Sequence, residues 1–194
     1  MINNYYNFIF VHIPKSAGVS IEGGLPKDLY PNHHGTLAEY EQMESIDLSK
    51  YFKFGFVRNP WDRMVSVYFF WRNQNKSHEF YKWDYPQVDH INKNNITFKE
   101  FISEVFHGQP VFNRQHTQSN SFYTKGLDFI GRFERIQKDF NIACDKIGIP
   151  QRELPHLNRT KHKNYTEYYD DKSRQMVADK YKIDVESFGY KFGD

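Results

Sequence analysis

The chain has one cysteine, Cys144, in 194 residues, which excludes an intrachain disulfide and points to a reducing compartment. It has no basic surplus. Lys and Arg number 26 against 24 Asp and Glu, so the net charge of +2 argues against a general nucleic-acid binder and leaves room for a local basic pocket. No apolar run approaches the roughly 18 residues that a membrane span needs. No charged and then apolar leader precedes the first apolar run, so the expectation is a cytoplasmic protein with no membrane span. The histidines at 78, 90, 107, 116, 156 and 162 lack metal-ligand spacing, and His78-Glu79 meets Lys82 where a second histidine would complete HExxH. No metal is expected. Internal repeats and low-complexity tracts are also missing, so the chain reads as a single domain, 1–194, long enough to bury a core.

What is abundant is aromatic. Tyr (14), Phe (18) and Trp (3) bring the aromatic share to 18%, which is high. Many stand beside polar residues, as Trp71, Phe80, Tyr81, Trp83 and Tyr85 do, and such a surface suits stacking on sugar rings as well as aromatic packing.

Three strand-then-helix units can be read. The first is a strand over Tyr6 to Ile13, a turn at Pro14–Ser20, and a short helix stopped near Gly23 and Gly24. The second is a strand over Phe52 to Arg58, then Asn59 as N-cap, Pro60 as first helical residue, and a helix from Trp61 to about Asn73. Trp61, Met64, Val65, Tyr68 and Phe69 recur there at helical spacing. The third is Phe129 to Phe133, with a helix from about Arg135 to Ile147 ended by Gly148 and Pro150. A last helix, about Asp171 to Tyr181, precedes the aromatic tail FGYKF. Alternation of this kind predicts an α/β fold with a mainly parallel sheet flanked by helices. Residues 73 to 125, rich in Asn, Gln, His and aromatics, read as helical excursions and loops over one end of the sheet.

The stretch PKSAGVS, residues 14–20, stands where ligands bind in open parallel sheets, beyond a strand's carboxyl end. The backbone N–H groups of Ser16, Ala17, Gly18, Val19 and Ser20 can converge on one oxyanion. Ser16 and Ser20 add hydroxyls, Gly18 allows close backbone approach, and Lys15 can neutralise a phosphate. The same stretch is equally a plain turn with an exposed lysine. It is not a Walker loop, because the lysine comes first and no upstream glycine exists, which weighs against a nucleotide kinase. In VRNPWDRMVSVY, residues 57–68, Arg58 can grip a phosphate through its planar fork, and Ser66, about two turns into the helix, can add a donor. For either residue alone the plainer reading, an arginine paired with an acid and an ordinary helical serine, is the stronger one.

Together the two stretches resemble the loop and the VRNPxxRxxSxY segment of the carbohydrate-type family 2 sulfotransferases, which use 3′-phosphoadenosine 5′-phosphosulfate (PAPS). HHGTLAEY at 33–40, DFIGRFERIQKDF at 128–140, LPHLNRT at 154–160 and FGY at 188–190 extend the likeness over nearly the whole chain. Position 19 is Val where the family has Thr, so a contact there is through the backbone. The resemblance implies a P-loop-like three-layer fold and transfer of a sulfuryl group from PAPS to an acceptor hydroxyl, releasing PAP. Lys15 would bridge the sulfate and the leaving phosphate, residues 16–20 would cradle the 5′-phosphate, and Arg58 and Ser66 would hold the 3′-phosphate. Arg159, Thr160 and Lys161 would close over the nucleotide. His34 best fits the family's general base, with His33 in reserve and Glu22 as a weaker alternative base that is otherwise a solvated helix carboxylate. The acceptor implied is a carbohydrate or glycoconjugate. A protein that binds PAP or a sulfated glycan without turnover is the competing reading.

Overall fold

The computed structural model describes residues 1–26, 34–44, 46–77, 81–112, 114–155 and 162–194. In chain order these form β1 (Ile2–Asn3), β2 (Phe8–Val11), α1 (Gly18–Gly24), α2 (Leu37–Glu44), β3 (Phe52–Val57), α3 (Pro60–Arg72), α4 (Tyr81–Lys93) and α5 (Phe98–Phe106). There follow α6 (Arg114–Thr117), α7 (Asn120–Thr124), β4 (Phe129–Arg132), α8 (Ile136–Ile147), α9 (Asp171–Lys180) and α10 (Lys182–Phe188). Two compact units result, one from the described residues of 1–58 and 120–159, the other from those of 59–119 and 160–194.

The first unit holds the sheet, in the order β1-β2-β3-β4. β2 pairs with β3 and β3 with β4 in parallel, while β1 lies antiparallel on β2. Successive strand side chains point to opposite faces, so Phe8, Phe10, Phe54 and Phe56 share one. That face is buried with Ile21 of α1 and Phe140, Ala143, Cys144 and Ile147 of α8. Each buried phenylalanine contributes about 2–3 kcal/mol of transfer free energy. Gly131, opposite Phe56 in the register, makes this packing possible, since a Cβ there would stand 2.4 Å from the Phe56 ring. Burial pushes the Cys144 thiol up, making it a packing residue rather than a nucleophile. The expected α/β class, a mainly parallel sheet flanked by helices, is what forms.

α3 opens the second unit as its sequence predicts. The Asn59 side chain accepts from the Trp61 N–H at 3.1 Å, with Pro60 next to it in the first turn. Trp61, Met64, Val65, Tyr68 and Trp71 are buried, and Trp71 stacks on Phe112 with ring centroids 5.7 Å apart. Arg63 is wholly buried too, its guanidinium donating to the carbonyls of His116 and Gln118. The helices expected within 73–125 are α4 to α7, of which α7 belongs to the first unit. One boundary differs. The last helix was expected to end at Tyr181 ahead of a tail, but the Val185 N–H bonds to the Tyr181 carbonyl at 2.9 Å and the ladder restarts as α10. Among the described residues no helix is long and apolar enough to cross a membrane.

Candidate functional site

β2 runs into a loop whose backbone is unusual. Lys15 and Ala17 both lie in the left-handed region, at φ 65° and 62°, with Ser16 between them outside it. For non-glycine residues that conformation costs roughly 1–2 kcal/mol each, and such strain concentrates at sites that bind or switch. Alternating hands along successive residues turn their N–H groups toward one concavity, the nest geometry that binds anions. The Ser16 hydroxyl is 1% exposed and has no hydrogen-bond partner. An orphaned buried hydroxyl in a nest is a group waiting for an acceptor.

Arg58, at the end of β3, reaches the same loop. Its Nη1 donates to the Lys15 carbonyl at 3.1 Å, and its guanidinium lies over the Phe133 ring, 4.0 Å from the centroid. The Asn120 amide donates to the Arg58 carbonyl at 2.9 Å and fixes the backbone behind it. Lys15 and Arg58 thus bring two cations to one strand end. Ser20 is buried one helical turn on, in α1.

Gly18 has a different reason for being glycine than close approach to a ligand. A Cβ there would stand 2.1 Å from the ring of His12, which occupies that space. Gly18→Ala is therefore expected to destabilise the protein by about 1–3 kcal/mol, as overpacking does. A denaturant melt matching wild type would show that the ring can move aside.

His12 is a residue of this site that sequence reasoning did not single out. It is buried, and its Nδ1–H donates to Glu22 Oε1 at 2.9 Å. Glu22 is accordingly not a solvated helix carboxylate, because α1 turns it inward onto the His12 ring. The signal lay in the spacing: an acid early in the helix that follows a strand-end histidine.

His34 Nδ1 donates to the His12 backbone carbonyl at 3.0 Å, which leaves the lone pair of the neutral ring on Nε2. The two histidine rings meet edge-on, 4.4 Å between centroids and 90° between planes. Burial foremost, with the charges of His12 and Lys15, pushes the His34 pKa down to about 4, against the raising effects of the His12 carbonyl and Glu22. His34 is therefore neutral at pH 7 and able to accept a proton. It is a weaker base than the near-neutral pKa expected for the role.

The structure brings Lys15, Ser16, Ala17, Gly18, Val19, Ser20, Glu22, His34 and Arg58 together in the first unit. Ser66 lies buried in α3 of the second. His33, Arg159, Thr160 and Lys161 lie outside the described residues. Among those described, no three His, Cys, Asp or Glu side chains gather as a metal site would require.

Carbohydrate sulfotransferase 14 of Danio rerio is 24% identical over 98% of this chain and 61% of its own length. Carbohydrate sulfotransferase 9 of Homo sapiens is 25% identical over 97% of this chain and 52% of its own. An uncharacterised protein of Archaeoglobus fulgidus is 27% identical over 59% of this chain and 82% of its own. The chain thus spans about half to three-fifths of the length of the two named sulfotransferases. No solved structure matches. The profile described as "Sulfotransferase family" covers residues 1–191, from β1 through the strained loop to the end of α10, and the chain belongs to that family.

Proposed function

We propose that the chain transfers a sulfuryl group from PAPS to a hydroxyl of a carbohydrate. The observation that carries this reading is the Ser16 hydroxyl, buried and unpartnered between two left-handed residues. Leaving such a group unsatisfied costs about 1–3 kcal/mol, and an oxyanion in the loop would relieve it. The donor class comes from the motif match, and the acceptor class from the names of the two carbohydrate sulfotransferases.

PAPS, when bound, supplies the sulfuryl group and departs as PAP. The chain's own part is to hold charge and move one proton. The Ser16 N–H turns back to the Ile13 carbonyl at 3.3 Å, so the N–H groups of residues 17–20, with the Ser16 and Ser20 hydroxyls, donate to the 5′-phosphate. The Lys15 ammonium neutralises charge on the equatorial and leaving oxygens. The Arg58 fork takes the 3′-phosphate, which distinguishes PAP from ADP. His34 Nε2 accepts the acceptor's proton, and the negative charge of a nucleotide in the loop raises its basicity from the ligand-free value. Ser66, Arg159, Thr160 and Lys161 carry roles from the motif match alone.

The test is calorimetric titration with PAP and, side by side, ADP. The wild type is expected to bind PAP more tightly, and Arg58→Ala to remove the preference, with a loss of roughly 10- to 100-fold in PAP affinity. Ser16→Ala is expected to weaken PAP binding by roughly 2- to 10-fold while leaving the free protein no less stable, since it removes an unsatisfied group. PAP binding no tighter than ADP in the wild type would sink the reading.

A further inference from the structure

Sulfuryl transfer as proposed uses Lys15, the loop and His34, and leaves one buried titratable pair without a task, His12 with Glu22. Both side chains are more than nine-tenths buried. A pair of this kind needs a reason to exist, because burying it is expensive unless the geometry is good. Here the geometry reaches two functional parts at once. The His12 ring fills the space over Gly18 in the anion loop. It stands at right angles to the His34 ring, and its own backbone carbonyl takes the His34 Nδ1–H.

We infer that Glu22 and His12 form the positioning element of His34: Glu22 locks the His12 ring, and the locked ring holds His34 edge-on with Nδ1 as donor and the Nε2 lone pair kept for a proton. The arrangement repeats the logic of an acid that orients an imidazole by a single hydrogen bond, carried one ring further. It also ties base to loop, since one ring touches both. His12 and Glu22 are positioning residues and touch neither donor nor acceptor in this scheme. The charges acting on His34 are Glu22, which favours its imidazolium, and His12 and Lys15, which oppose it. The two members of the pair therefore pull His34 in opposite directions.

That opposition supplies the test. Nitrogen-15 imidazole NMR reads the His34 tautomer and titration midpoint directly, in the free protein. Glu22→Gln keeps an acceptor for the His12 N–H and removes only the charge. The His34 tautomer is expected to persist and its midpoint to fall. His12→Gln keeps a donor for Glu22 and removes the ring wall and its charge. The midpoint is expected to rise and the two tautomers to mix. With PAPS and an accepted sugar, both variants are expected to lose roughly 10- to 100-fold in kcat, the scale typical of outer partners that orient a reacting group, with PAP affinity unchanged. In Glu22→Gln the acid limb of kcat should move down, and in His12→Gln up. A His34 tautomer and midpoint identical to wild type in both variants would overturn the inference. The rate readout rests on the proposed sulfuryl transfer, whereas the NMR readout does not. Opposite midpoint shifts in a protein that fails to prefer PAP would uphold the positioning role and remove the proposed function alone.

Discussion

Arg63→Ala is expected to destabilise the protein by about 3–5 kcal/mol, read as a drop in the urea midpoint. Arg63 is 0% exposed, and its two Nη groups satisfy the carbonyls of His116 and Gln118. The carbonyl between them, on Thr117, is taken by the Tyr181 hydroxyl at 2.6 Å. Tyr181 in turn lies under the guanidinium, 5.2 Å from ring centroid to Arg63 Cζ. Two side chains thus close a run of three carbonyls that α6 leaves open at its end. Alanine strips partners from two of them and opens a cavity the size of an arginine beside a tyrosine. Arg63→Lys should recover only part of the loss, because a point charge cannot reproduce a planar fork. A loss below about 1 kcal/mol for alanine would mean that water replaces the guanidinium without strain. This arginine belongs to the same motif as Arg58, yet its task is structural.

Lys15→Met is expected to lower kcat by roughly 10²- to 10³-fold, the scale seen when one donor to developing charge is removed. Methionine keeps the stem and the backbone carbonyl that accepts from Arg58 at 3.1 Å, so the loop should keep its shape. Much of the loss should therefore fall on kcat rather than on PAP affinity. A second sign accompanies it. The Lys15 charge helps hold the His34 pKa down to about 4, so its removal lets that pKa rise. In the proposed reaction the acid limb of kcat would follow deprotonation of His34, and it should then move to higher pH. A variant within about threefold of wild type, with an unmoved limb, would place Lys15 outside the reacting charge.

What could be read from the chain alone followed local rules. Asn59-Pro60 starts α3 because a side-chain acceptor and a missing N–H suit a first turn, and Gly148, at φ 74°, stops α8. The loop and Arg58 were legible through the match of their two stretches to one family's motifs, since by local chemistry the loop was equally a plain turn and Arg58 an ordinary paired arginine. β1 was not, because Ile2–Asn3 is too short to show a period of two and owes its strand to pairing with Ile9 and Phe8. Gly18 was legible as a required glycine but not for its cause, since the crowding ring comes from His12, six residues earlier. The contact of His34 with His12 joins residues 22 apart and exists only once the fold does. Arg63 was hidden for the same reason, its carbonyl partners lying more than 50 residues downstream.

The sheet's phenylalanine face has a consequence for synthesis. Phe8, Phe10, Phe54 and Phe56 are buried with α8, whose first core residue is Phe140. A growing chain therefore carries four exposed rings for the time taken to add the residues between Phe56 and Phe140. At ribosomal rates of about 5–20 residues per second that interval is on the order of ten seconds, far longer than hydrophobic collapse. During it the nascent protein presents an aromatic strip covered by Ile21 of α1 but not by α8, the kind of surface on which chaperones act and neighbouring chains stick. The helix that completes the core also ends that exposure.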